Sequence, residues 1–285
     1  MNFTKVSEAR VGDVNAAVYQ LDEEHQAELE DRLKNKIRKM RIHRGVMDDD
    51  IVDLLSPFAT DEFKRSIEAY SDEASSPWRN PRIDLDVRRS RVTEFMSQVL
   101  LEKEYGCLFY ESTDKRVNLN IYEADKHVAG VDVTGINKLD SNFRFVVCEV
   151  KSTRAAAAGS NVSGLLDDIV DAYEDKGSTL SREILASIQQ IRNDTNISTS
   201  EMDEIVKFLV NALSMRETKE AFLERIIFFP FLVKQNTTAE VIDIPSELKS
   251  FASKSFPNTE MHGVIWSFGK TLNEFCNDIY ESATT

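Results

Sequence analysis

Residues 142–151 alternate in character. Phe143, Phe145, Val147, Glu149 and Lys151 fall on one face of an extended strand, and Arg144, Val146, Cys148 and Val150 on the other. A carboxylate and an ammonium therefore end one otherwise apolar face. Upstream, residues 130–138 also read as extended and 139–142 as a tight turn. With Asp140 and Ser141 as the two turn residues, hairpin register sets Asp132 directly opposite Glu149, and cross-strand partners share a face. Asp132, Glu149 and Lys151 then meet in one small patch.

The rest of the chain is read against that hairpin. Residues 86–105 place Val92, Phe95, Met96, Val99 and Leu100 on a helical stripe that stops at Gly106. Glu94 lies almost opposite the stripe, either on a solvent face or on a second face turned to a cleft. Short strands are expected at 107–112 and 117–122, and a small, flexible loop over 152–164. Helices follow at 165–173, with an acidic face, and at 180–192. A capping box at Ser198–Glu201 opens another helix to about Leu213, and 219–224 adds a helical turn. Two strongly apolar strands, 226–233 and 262–268, flank a helix at 244–254 in a βαβ arrangement, with Pro230 predicting an edge position or a bulge for the first. A helix at 272–280 closes the chain. N-terminally, 21–44 reads as a helix, residues 15–19 as a short strand or helical turn, 47–55 and 61–70 as short helices, and 71–81 as a linker. The sum is an α/β (α+β) protein. Residues 86–285 form a central mixed β-sheet flanked by helices, behind a mostly helical N-terminal layer over 1–85.

Charge narrows the function. A formal net charge of -14 argues against a simple, tight nucleic-acid binder, yet leaves room for local basic patches. It favours a second protein that delivers substrate or docks on the acidic surface. Seven of the thirteen residues 32–44 are Lys or Arg. Lys34, Lys36, Arg38, Lys39, Arg41 and Arg44 either complement the helix dipole or form a phosphate-facing strip. Arg89 and Arg91 could meet phosphate, as could Ser152; each is also an ordinary surface residue in that setting. Cys107, Cys148 and Cys276 have no metal or disulfide spacing, and the four histidines give no zinc signature. No apolar run is long enough to cross a bilayer and the N-terminus lacks signal-peptide character, so a cytoplasmic location is expected. The ten glycines show no Walker-type spacing, which argues against ATP hydrolysis by this chain.

The patch itself has chemistry to offer. Asp132, Glu149 and the carbonyl of Val150 are hard oxygen donors suited to Mg²⁺ or Mn²⁺. Lys151 beside them could hold or deprotonate a water, or steady a phosphate oxygen. Glu-x-Lys recurs at 174–176, 217–219 and 247–249, but only Glu149–Lys151 ends a β-branched and aromatic run with an acid on the preceding strand. The bland alternative is a cross-strand salt bridge.

Asp132 followed by Glu149-Val150-Lys151, on a hairpin preceded by a helix, resembles the PD-(D/E)XK, restriction-endonuclease-like nucleases. Val131 stands where the motif's name has proline. The resemblance implies a restriction-endonuclease-like core and Mg²⁺-dependent cleavage of phosphodiester bonds, with DNA as substrate, by an endonuclease or nickase. Asp132, Glu149 and the Val150 carbonyl would bind metal and Lys151 would orient or activate water. A glutamate on the helix before the hairpin often joins such sites, for which Glu94 is the match; a glutamine on a later helix is matched by Gln189 or Gln190. A narrower similarity is to the nuclease subunits of Hachiman-type antiphage systems. It rests on chain length, the Gly-x-Asp…Cys-Glu-x-Lys hairpin, a long helical insert and the two late apolar strands. It implies a superfamily-two helicase partner that holds the nuclease in check. The competing class is a non-catalytic subunit with a nuclease-like fold that binds a partner protein.

Overall fold

The computed structural model describes residues 1–45, 81–110, 131–139, 142–154, 159–174, 178–192, 197–214, 219–235, 256–257 and 259–283. The expected strand at 117–122, the short helices within 47–70, the linker and the helix at 244–254 lie outside these residues, as do turn residues Asp140 and Ser141.

Strands β1 (Phe3–Val11), β2 (Val14–Leu21), β3 (Cys107–Leu108), β4 (Val133–Leu139), β5 (Asn142–Thr153), β6 (Ile226–Gln235) and β7 (Glu260–Phe268) form one seven-stranded sheet in the order β1-β2-β7-β6-β5-β4-β3. It is mixed. The β2–β7, β7–β6 and β6–β5 pairs are parallel, whereas β1–β2, β5–β4 and β4–β3 are antiparallel.

Helices cover both faces. On one lie α1 (Gln26–Gly45), α2 (Pro81–Tyr105) and α7 (Leu272–Ser282); on the other, α3 (Gly159–Glu174), α4 (Ser178–Arg192) and α5 (Thr199–Ser214). A short α6 (Lys219–Leu223) leads into β6. The first core joins Leu29, Leu33 and Ile37 of α1 to Val146 and Cys148 of β5; the second joins Leu165 and Ile169 of α3 to Phe145 and Val147. The strand's alternation thus separates two cores. α2 is buried without interruption from Arg91 to Leu101 and ends where Gly106 takes a φ of 63°, a conformation that glycine adopts without strain.

Four elements differ from the sequence-based expectation. Residues 1–21 are a hairpin rather than part of a helical layer, and β2 pairs with β7 from Val14↔Met261 to Tyr19↔Trp266. N-terminal residues therefore belong to the same sheet as the later strands, and the boundary expected at 85/86 falls inside α2. With both faces covered, β2 lacks a clean polar alternation, so its pattern did not separate strand from helix. Second, Pro230 stands in a central strand. The β6–β7 register passes from Phe228↔Met261 to Phe231↔Val264, an interruption that spans the residue with no N–H to donate. Third, Gly159–Gly164, expected as loop, opens α3. Finally, of the strand expected at 107–112, the described residues 107–110 are strand only at Cys107–Leu108.

Candidate active site at the β4–β5 ladder

The β4–β5 register runs from Leu139↔Asn142 to Val133↔Cys148. One further step sets Asp132 against Glu149, the juxtaposition expected from the alternation. Asp132 occupies a bend just ahead of β4, and its Oδ2 accepts the main-chain N–H of Val150 at 2.9 Å. Val150 thus contributes an N–H that anchors the acid. On the other side of Glu149, the register partner on β6 is Pro230.

Asp132 and Glu149 stand side by side, near enough for the one acid to act on the other. Glu149 is buried, and this burial pushes its carboxyl well above the ordinary carboxylate range; the charge and hydrogen bond of Asp132 add to the rise, followed by the charge of Asp168, against a smaller opposing effect of Lys151. Two acids pressed together out of water favour either a shared proton or a cation.

Lys151 lies two residues further along the same face. Its Nζ is 2.6 Å from Oδ2 of Asp168 on α3. Burial lowers the Lys151 ammonium's affinity for its proton, but the hydrogen bond and charge of Asp168, then the charges of Asp132 and Glu149, outweigh it and raise the pKa. The patch therefore sets three acids about one ammonium. In the sequence, Asp168 belongs to the acidic face of the helix expected at 165–173. The available signal was its spacing: it is three residues after buried Leu165 and one before buried Ile169, at the edge of the packed stripe.

Glu94 has a different environment. It is buried on α2, which packs on the Cys148 face of β5, and its Oε1 accepts from Ser90 Oγ at 2.7 Å. Among the described residues, one set of three His, Cys, Asp or Glu residues brings its ligand atoms within 4.8 Å of one another, and it is Asp22, Glu24 and His25. Neither Glu94 nor Asp168 is gathered with Asp132 and Glu149 at that spacing. The Asp22 cluster is accounted for by its own contacts: Thr4 donates to Asp22, and His25 pairs with Glu24 and Glu28.

Two of the basic candidates are engaged within the fold. Lys36 donates to Gln98 Oε1 and lies 5.4 Å from the Phe95 ring centroid. Arg89 bonds Asn273 Oδ1 at 3.2 Å and Asp86 at 2.9 Å, and Arg91 is buried. Arg38, Lys39, Arg41 and Arg44 belong to α1, but their side chains lie outside the described residues. Lys34 is half-buried on the same helix. Ser152 is half-buried and, by strand alternation, on the face opposite Lys151. Gln189 is exposed and Gln190 half-buried on α4.

The donor set at Asp132 and Glu149 fits a hard divalent cation, because both are oxygen donors and a cation would offset the cost of setting a buried acid beside a second one. No family model matches the chain, and no curated protein matches its sequence.

Proposed function

We propose that this chain is a divalent-metal-dependent nuclease that hydrolyses DNA phosphodiester bonds at Asp132, Glu149 and Lys151, on a restriction-endonuclease-like core. The observation that carries the reading is the pairing of Asp132 with Glu149 across the β4–β5 ladder, carboxyl to carboxyl, with Lys151 on the same face. A salt-bridged sheet edge would pair an acid with a base across the strands; here an acid faces an acid, which is unfavourable without a proton or a cation between them.

Asp132, Glu149 and the Val150 carbonyl would hold Mg²⁺ or Mn²⁺, which supplies Lewis-acid stabilisation of phosphate charge and a more acidic bound water. The chain's own contribution is orientation. The Val150 N–H fixes the Asp132 carboxylate, burial fixes Glu149, and Lys151 presents an ammonium to the water or to a phosphate oxygen.

Control by a partner is the finer part of the proposal. Net charge is -14, and Lys36 and Arg89 are engaged within the fold, which favours a second protein that brings DNA to the site. A superfamily-two helicase, as in Hachiman-type antiphage defence, fits that requirement. The alternative of a non-catalytic subunit is favoured by one observation: Lys151 already has a close counter-ion in Asp168.

The test is plasmid cleavage with Mg²⁺, with and without the partner, for wild type, Lys151→Ala and Glu149→Gln. Cleavage that needs Mg²⁺ and is lost in both variants supports the reading. Cleavage indifferent to Lys151→Ala rejects the assignment, and no cleavage under any condition favours the non-catalytic subunit.

A further inference from the structure

We infer that Asp168 is the positioning residue for Lys151, holding its ammonium in place over the Asp132–Glu149 pair; this deepens the nuclease reading and rests on it. The first support is placement. α3 follows closely on β5 and lies across the face that bears Glu149 and Lys151. Leu165 and Ile169 are packed into the core with Phe145 and Val147. Asp168 lies between them in sequence, so the packing of its helix neighbours sets where its carboxylate sits.

The second support is division of labour among the acids. The charged groups that act on Lys151 are Asp168, Asp132 and Glu149. Asp168 is in direct contact, at 2.6 Å, whereas the ligand atoms of the three acids are not all gathered within 4.8 Å of one another. Its direct contact is with the ammonium, while Asp132 and Glu149 are the pair that would share a cation. A lysine side chain has four rotatable carbons and loses substantial rotamer entropy when fixed, so an unsupported ammonium in this half-exposed position would sample several geometries. Misplacing a group at a reacting centre by about 1 Å costs up to roughly 10²-fold in rate.

The experiment pairs kinetics with a chemical probe. Asp168→Ala and the near-isosteric Asp168→Asn are compared with Asp168→Glu in plasmid cleavage, and Lys151 acylation by acetic anhydride is followed by mass spectrometry. The expected result is a fall in kcat of about 10–100-fold for Ala and Asn, partial recovery for Glu, an unchanged Mg²⁺ half-saturation point, and faster acylation of Lys151 in Ala and Asn than in wild type. Unchanged kcat overturns the inference, and so does a Mg²⁺ half-saturation point that rises with the kcat loss, because that makes Asp168 a metal ligand. If wild type cleaves nothing, the nuclease reading fails by itself. The acylation rate then still decides whether Asp168 holds Lys151, and an unaltered rate overturns it.

Discussion

The main-chain N–H of Val150 donates to Oδ2 of Asp132 at 2.9 Å, so the backbone of β5 holds the acid that precedes β4. Asp132→Ala removes that acceptor and leaves a part-buried N–H without it, at a cost of about 1–3 kcal/mol. Asp132→Asn keeps an oxygen in place and loses less. Urea unfolding of the two variants checks this, and equal losses would mean that the bond does not anchor the strand end. Both variants are expected to lose cleavage.

Glu149 makes metal-free stability depend on pH. Its folded carboxyl keeps its proton well above the ordinary value of 4.5, so between the two the folded state binds a proton that the unfolded chain has released. The contribution is fully present below about pH 4.5 and is lost as pH rises through the folded pKa. In chelator, thermal stability is expected to fall with rising pH through the neutral range, and Glu149→Gln is expected to flatten that fall. A wild-type profile that rises instead, or one that Glu149→Gln leaves unchanged, contradicts the burial argument.

Gly135 on β4 packs under the next segment so closely that a Cβ there would lie 2.7 Å from the Leu108 carbonyl oxygen and from the Phe109 ring. The ring could move but the backbone carbonyl cannot without disturbing the β3–β4 pairing. Gly135→Ala is expected to destabilise by about 1–3 kcal/mol, as overpacking does. A melting temperature equal to wild type would show that β3 gives way freely.

All three cysteines are buried, and burial pushes Cys107 and Cys276 up to about 12 and Cys148 well above its usual value. Since the thiolate is the nucleophile, none should react with a disulfide reagent in the folded protein. All three should react in denaturant. Rapid native labelling of Cys148 would place it outside the β5–α2 packing described above.

The hairpin register was legible because β5 carries its polar ends on a single face, so periodicity and a two-residue turn fixed which residues oppose. The capping box at Ser198 was legible for the same local reason: the Glu201 N–H bonds Ser198 Oγ at 3.3 Å. What depended on distant partners was not. β2 reads as strand only beside β7, and Pro230 is tolerated in a central strand only because the neighbouring ladder skips it. The sequence alone leaves Glu94 open between a solvent face and a cleft; α2 has no solvent face from Arg91 to Leu101. Asp168 was hidden because an acidic helix face resembles hydration until the lysine opposite it is known.

Because β2 sits beside β7, with Val14 opposite Met261, the β1–β2 hairpin waits through the synthesis of every intervening element before meeting its neighbour. Until then the β1–β2 hairpin and the β4–β5–β6 block are separate pieces, and β6 presents a bare apolar edge. A product cut short before Glu260 would keep that edge exposed, so premature termination leads toward aggregates rather than toward a stable partial sheet.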